Sequence, residues 1–475
     1  MDDPVAVIGG GWAGCTAAIE LARRGHRVAL YEAAPVLGGR ARRVLRNGLP
    51  LDNGQHLLLG AYTQTLAIAD ALRSDADGPA WSTAVLSMRP LMDSQRNALW
   101  LTARALPAPF GLALGVLTAS GLTLTERLAT LHWFARLRRD RFRVSPDATV
   151  STLLAALPRR AREHLWEPLC LAALNTPPAR ASAQVFANVL RAAFDADAKA
   201  ARVVAPRVDL ADALPEPAAR WLRARGHAVH TATTARIEAI GTKGIEVVVR
   251  GTPARVRAAV VAVGPHQLQG AFAQTLAEAN PGIAAALHQT RRLRYAPITT
   301  IYLGYAGAHG LPRGLVRLDD APGQWAFDRS DILARAGAAG AGSPAGSADL
   351  PGSLRTLYAV VISASGPHGE LGHPALVEAV DAQLRRGSPG LPALCWSQVI
   401  VERRATYACV PGLALPRCGR IAGGIYLAGD YTYDELPATL EAAVSSGMAA
   451  ARALADDFNR GCAAASAARD STRAP

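Results

Sequence analysis

Three glycines near the start of the chain are spaced for phosphate chemistry. Gly9, Gly11 and Gly14 form G-x-G-x-x-G, and Glu32 follows at the distance, about 20 residues, where a carboxylate meets ribose hydroxyls. Gly9 permits a tight turn, Gly11 lets the backbone approach a pyrophosphate, and Gly14 lets a helix pack close on a strand. The anion would sit on a helix N-terminus, where free N–H groups and the dipole favour negative charge. Trp12, Ala13 and Ala33 are counted with this dinucleotide site.

A second set could move protons. His56, Asp434 and Glu435 are of the types that serve as general acids. Each has a plainer reading as well. An isolated histidine more often satisfies a structural hydrogen bond, and acids ahead of a helix complement its dipole.

The elements that must carry these residues follow from periodicity. Val5–Ile8 is an apolar run of strand type, and Ala17, Ala18, Ile19, Leu21 and Ala22 trace a helix face ending at Gly25. Arg27–Tyr31 is a second strand that delivers Glu32. Near the other end, Ile425–Ala428 is a strand stopped by Gly429-Asp430, and Pro437 stands where proline opens a helix. Short strands are expected at Ala228–Thr231, Arg236–Ile240, Ile245–Arg250 and Ala258–Val263, and a long one at Tyr295–Tyr305. From Trp81 to Ala201 helix patterns dominate, notably Leu124–Phe142 and the pair in Trp166–Phe194 split by Asn175-Thr176-Pro177-Pro178. Ala334–Ser353, rich in Ala, Gly, Ser and Pro, reads as a mobile loop. Its Gly337, Gly340 and Gly342 are not taken as a second fingerprint, because no strand is expected before them and no helix after. Beyond Ala455 a disordered tail is expected.

With Gly38-Gly39-Arg40 directly after Glu32, the N-terminus resembles the FAD-binding segment of the flavin amine oxidase and carotenoid desaturase superfamily. The resemblance implies FAD as cofactor. Gly39 would admit backbone close to it, and Arg40 would pair bidentately with a phosphate. Gly54, Gln55 and His56 would pass beside the flavin ring, and the backbone near Ala235 would hold the adenine end. Gly429 and Asp430 would meet the ribityl chain. The N–H groups of Ala438, Thr439 and Leu440 would face the flavin N1/C2=O, where a helix N-terminus stabilises the anionic reduced ring.

A finer resemblance is carried by LDNGQHLLLGAYTQT, WEPLCLAALNTPPARASAQVFANVLR, PRVDLADALPEPAARWL, LRYAPITTIYLGY and YLAGDYTYDELPATLEAAVSSG. Together they look like the hydroxysqualene dehydroxylases, squalene-associated FAD enzymes of bacterial hopanoid synthesis. Ala198–Val204 is less apolar than that likeness leads one to expect. The implied fold is α/β (α+β): a Rossmann-like FAD-binding domain at 1–80, 206–285 and 406–455, interleaved with a largely helical substrate domain, carrying a β-sheet, at 81–205 and 286–405. The implied reaction is loss of water from hydroxysqualene and delivery of hydride from flavin N5, with His56, Asp434 or Glu435 protonating the leaving hydroxyl. The alternative is a carotenoid or phytoene desaturase-like enzyme, or another flavin oxidase acting on a polyisoprenoid. Amine oxidases of the superfamily usually hold a water near flavin N5 with a lysine. The two lysines here, Lys199 and Lys243, are not expected in that role. A prenyl-binding protein without flavin is disfavoured by the intact Glu32, Arg40 and Asp430.

Composition limits the partners. The 475 residues carry a formal charge of +13, half are apolar, and arginine supplies nearly all the cations. That balance favours anionic partners, either phosphate-bearing ligands or an acidic membrane face, while no basic–aromatic strip or known motif points to nucleic acid. Cys15, Cys170, Cys395, Cys409, Cys418 and Cys462 are scattered without metal spacing, which suggests reduced thiols and no metal centre. The chain enters a strand at once, so no signal peptide is expected. The uncharged run Ala105–Thr125 is long enough to span a bilayer but is broken by prolines and glycines, and basic Leu124–Phe142 follows it. A cytoplasmic protein attached peripherally to an anionic inner-membrane surface is the expectation. The electron donor is expected to be NAD(P)H acting directly or a separate flavin reductase.

Overall fold

A computed structural model describes residues 3–74, 77–91, 99–103, 106–242, 244–312, 314–340 and 350–471, without the side chains of 336–340 and 461–471. Val5–Ile8 and Val28–Tyr31 are wholly buried strands, as their near-continuous apolar character requires of a sheet covered on both faces. They form the middle of a six-stranded sheet ordered Ala228–His230, Val28–Tyr31, Val5–Ile8, Ala258–Val261, Ile425–Leu427 and Gly419–Ala422. The first five run parallel and the last pairs antiparallel.

The helix Trp12–Arg23 follows the first strand and the helix Leu440–Ser471 packs against it. Their crossing needs Gly447, since a Cβ there would stand 2.2 Å from the Ala13 carbonyl oxygen. Ser446, its neighbour, accepts the N–H of Gly429 at 2.9 Å and so ties the last helix to the end of the last parallel strand. Ala235–Gly241, Gly244–Val249 and Thr252–Val256 make an antiparallel meander beside this sheet.

The second large sheet has seven strands, ordered Leu394–Tyr407, Tyr295–Tyr305, Thr356–Ser363, Trp325–Asp328, Leu315–Arg317, Ser87–Pro90 and Leu101–Thr102. Helices Phe110–Leu117, Leu124–Arg139, Glu167–Leu174 and Ala183–Phe194 build the layer around Trp133, Phe134, Trp166 and Phe186. A small sheet joins Leu58–Leu59 and Trp81–Ala84 to Val203–Pro206. Asp52, fully buried at the end of Leu49–Asp52, pairs at 3.1 Å with buried Arg329 just past Trp325–Asp328. That pair fastens the segment before His56 to the seven-stranded sheet.

Several expectations are corrected. Three strands open the 81–201 stretch, where helix patterns dominate the sequence. Thr252–Val256, largely exposed and carrying Pro253, is an edge strand that lacks apolar alternation. Ser330–Gly340 is a helix rather than the first part of a loop, with Asp328 accepting the Ser330 N–H ahead of it and alanines within it. A strand, Trp325–Asp328, therefore does precede Gly337 and Gly340, which lie inside the helix and not in a strand-to-helix turn. Gly342, Lys243 and the remainder of that loop to 349 lie outside the described residues. The last helix begins at Leu440, three residues after Pro437, because Thr439 caps it by accepting the Ala442 N–H at 3.1 Å. It continues to Ser471 through the alanine-rich stretch that was expected to be a tail. Among the described residues no helix is long and apolar enough to cross a membrane.

Candidate active site

A cavity of about 830 Å³ opens along the carboxyl ends of the parallel strands. Gly9 leaves the first strand with φ +107°, and a Cβ there would meet the Ala262 carbonyl oxygen at 2.6 Å. A Cβ on Gly14 would stand 1.8 Å from the Gly9 carbonyl oxygen, so Gly14 is the helix–strand contact and does not line the cavity. Gly11 ends the turn as the helix N-cap and offers no side-chain cap. Gly11, Trp12 and Ala13 line the cavity, so the helix presents its opening N–H groups to whatever occupies that space. Gly38 and Gly39, with φ +109° and +61°, bring a second loop against this turn. A Cβ on Gly39 would lie 3.2 Å from the Gly11 Cα.

Glu32 lines the cavity beside Ala33 and Thr233–Ala235. Its Oε2 accepts the Gly10 N–H at 2.7 Å and its Oε1 the Ala34 N–H at 2.8 Å. Each oxygen keeps a second lone pair, and a vicinal diol presents two donors that would match them.

Arg40 and Asp430 also line the cavity, but they meet each other. The Arg40 guanidinium donates to Asp430 Oδ1 at 2.5 Å and to the Ala405 carbonyl at 2.8 Å. Burial works against the Arg40 cation, and the Asp430 carboxylate, aided by Glu402 and Tyr295, more than offsets it. Arg40 thus joins the cavity wall to the strand Leu394–Tyr407 instead of standing free for a phosphate. Ala438, Thr439 and Leu440 line the same space at the N-terminus of the last helix. The acid of that helix's first turn, Glu441, is turned away to accept the Gln64 and Thr65 N–H groups, so it does not neutralise the helix end.

His56 lines the cavity, with Nδ1 2.7 Å from the Gly54 carbonyl oxygen. Since that oxygen only accepts, Nδ1 carries the proton and Nε2 is left with the lone pair. Burial holds the imidazole below its ordinary pKa, the Gly54 bond opposes this, and the Arg40 charge adds to it. Gly54 and Gln55 do not line the cavity, although Gln55 is buried with its Oε1 unpartnered. Asp434 and Glu435 are exposed and also off the cavity, and Glu435 lies 3.6 Å from Arg191. Lys199 is exposed and away from the cavity as well.

Sequence reasoning missed Arg42, His266, Gln267, Glu402, Arg403 and Arg404, all lining residues. Glu402 arrives through strand register, opposite Ile298, and accepts the Asn53 amide at 2.8 Å. No local pattern announces such residues. Only His266 and Gln267 had a signal, the Gly264-Pro265 stop after a buried strand.

The profile of the family described as flavin containing amine oxidoreductase matches residues 12–455. The hydroxysqualene dehydroxylase of Rhodopseudomonas palustris is 29% identical over 463 residues, covering 95% of this chain and 98% of its own. That of Sinorhizobium fredii is 27% identical over 465 residues, with the same coverage of 95% and 98%. Among solved structures, an oxidoreductase from Methanosarcina mazei gives a TM-score of 0.69 at 14% identity, covering 94% of this chain and 99% of its own. Cyclohexylamine oxidase from Brevibacterium oxydans gives 0.64 at 15%, with 97% and 100% covered.

Proposed function

We propose a function from one premise, that this chain belongs to the flavin-containing amine oxidoreductase family: it binds FAD and uses it, reduced, to convert hydroxysqualene to squalene and water in bacterial squalene and hopanoid synthesis. The observation that supports this reading is likeness along the whole chain to proteins named for that reaction. The cavity suits FAD on its own terms. Glu32 offers paired acceptors for a ribose, the glycine turn and helix end suit a pyrophosphate, and the helix N-terminus at Ala438–Leu440, whose first-turn acid Glu441 is turned elsewhere, suits an electron-rich ring edge. FAD, when bound and reduced, supplies a hydride.

The chain's own residues would supply the rest. The C–O bond of an allylic carbinol breaks readily once its hydroxyl is protonated, because the cation left behind is delocalised. His56 is the favoured donor. His56 lines the cavity, and its Nδ1–H bond to Gly54 fixes the ring and leaves the lone pair on Nε2. To act as acid, Nε2 must first take up a proton, which its lowered pKa resists at neutral pH. Asp434 and Glu435 are better placed to complement a helix N-terminus than to reach a substrate.

Incubating the photoreduced protein anaerobically with hydroxysqualene tests the reading. Squalene detected by mass, with one flavin reoxidised per product, is expected. The reading is overturned if the reduced protein is inert while the oxidised protein desaturates a polyene.

A further inference from the structure

We propose that the face made by Phe110–Leu117 and the first half of Leu124–Arg139 docks on an anionic lipid bilayer, with arginines at the far end of the second helix meeting the headgroups. This goes beyond the substrate reading and does not depend on it.

The helix Phe110–Leu117 reads FGLALGVL and is apolar all round. One face is used: Leu112 and Val116 are in the core, and Gly115 lies against the Thr102 backbone, where a Cβ would meet its oxygen at 2.8 Å. The other face, Phe110, Leu114 and Leu117 at helical spacing, is exposed, Phe110 by 64%. A helix apolar on every side is normally buried on every side. The next helix extends the patch, because Arg127 donates to the Leu117 carbonyl at 2.8 Å and draws its first turns alongside. Leu124 and Leu128, one turn apart there, are exposed by 64% and 52%. More than half of the exposed large apolar side chains among the described residues fall between Trp100 and Leu128. Scattered single exposures are ordinary, but a contiguous group marks a binding surface.

Charge decides what kind. The stretch from Leu106 to Thr125 carries none. Its first acid, Glu126, is folded back on Thr123, accepting the N–H at 2.8 Å and meeting Oγ1 at 3.0 Å. At the other end of the second helix, Arg138 pairs with Asp195 and Arg139 with Asp140. Arg136, Arg141 and Arg143 are exposed and make no ion pair among the described residues. Trp100, exposed and stacked under the Arg89 guanidinium at 3.6 Å, bridges by backbone to Ser120 at the border of the patch. An amphipathic ring with a cation beside it is suited to a bilayer interface. An apolar surface with a cationic margin complements acyl chains below anionic headgroups. A second copy of the chain would bring unpaired arginines of like sign to the same interface.

Flotation of the purified flavoprotein with vesicles tests this. Vesicles of phosphatidylglycerol and phosphatidylethanolamine should recover it about a hundredfold better than phosphatidylcholine, and added salt should weaken the difference. Arg136→Glu with Arg143→Glu should lower binding to the anionic vesicles about tenfold or more. Phe110→Ser with Leu124→Ser should lower it by a similar factor on either lipid. All four positions are exposed, so flavin content and melting temperature should stay at wild-type values. Equal recovery on neutral and anionic vesicles, unchanged binding by either pair of variants, or no flotation with a dimer that Phe110→Ser dissociates would each overturn the proposal.

Discussion

Glu32 is where the cavity can be tested with least ambiguity. Its carboxylate already accepts two backbone N–H bonds, from Gly10 and Ala34, at 2.7 and 2.8 Å. A ribose in the proposed pose would add one or two more to the same charged group. Hydrogen bonds to a charge contribute about 1.5–3 kcal/mol each, and 1.4 kcal/mol is a factor of ten. Glu32→Ala should therefore weaken FAD about 10- to 150-fold for each bond lost. Glu32→Gln should fall in the same range, because its amide sets a donor against one of the two backbone donors. The assay is titration of flavin-stripped protein by fluorescence quenching, with the thermal shift on adding FAD as a second readout. FMN provides the control: it has no adenosine ribose, so its affinity should be unaffected by either substitution. If FMN is weakened as much as FAD, Glu32 acts through the loop and not through the ribose. A Glu32→Ala protein with unchanged FAD affinity refutes the pose outright.

His56→Ala should lower turnover about 10²–10⁴-fold while flavin content holds, read by stopped-flow on the loaded protein. Because His56 titrates below its ordinary pKa, the acid form is present at low pH and lost as pH rises. Turnover should fall with rising pH, and a flat profile would leave His56 only an orienting role. Asp434→Asn and Glu435→Gln, at exposed positions off the cavity, should leave steady-state turnover unchanged, and a large loss in either would reverse the order of candidates. Arg329→Met leaves the Asp52 carboxylate buried beside the Leu210 N–H alone, at a cost of about 3–5 kcal/mol. Burial raises the Asp52 pKa to about 6, against the pull of Arg329. The native state thus holds the proton where the unfolded state has lost it, and stability falls as pH rises from 3.8 through about 6. Without Arg329 the pKa climbs further, so the melting deficit should be larger at pH 8 than at pH 5. Equal deficits would remove Asp52 as the cause.

What could be read beforehand was what a short window contains. Tyr295–Tyr305 was bounded correctly because its alternation and length belong to a strand whatever surrounds it. Gly9 and Gly14 were legible because the first takes a φ of +107° and a Cβ on the second would strike the Gly9 carbonyl oxygen at 1.8 Å, whereas a Cβ on Gly11 would make only ordinary contact, 3.8 Å from the Gly39 Cα. The pairing of Arg40 with Asp430 was not, since it joins residues from opposite ends of the chain across a sheet. Asp434 and Glu435 looked reactive because they precede a helix expected to face flavin, yet both lie exposed in the turn before Leu440. Arg403 and Arg404 come to the cavity in an irregular stretch of strand pairing, between Glu402 opposite Ile298 and Thr406 opposite Ala296, which no window of residues encodes.

The seat of Gly447 on Ala13 has a consequence for how the protein is made. The first glycine turn leaves the ribosome more than four hundred residues ahead of the facing wall, Ala438 to Ala443. The cavity therefore cannot exist on a partly made polypeptide, however complete its N-terminal fingerprint. Flavin must join a chain already made through Ala443, and a message truncated before codon 447 should give protein that is colourless for want of a wall and not of a motif. Until then the parallel strands Val5–Ile8 and Ala258–Val261 wait for Ile425–Leu427 with one edge open, an interval in which such edges invite pairing with other chains. Raising the flavin supply during expression would not shorten that interval, whereas slowing synthesis would lengthen it.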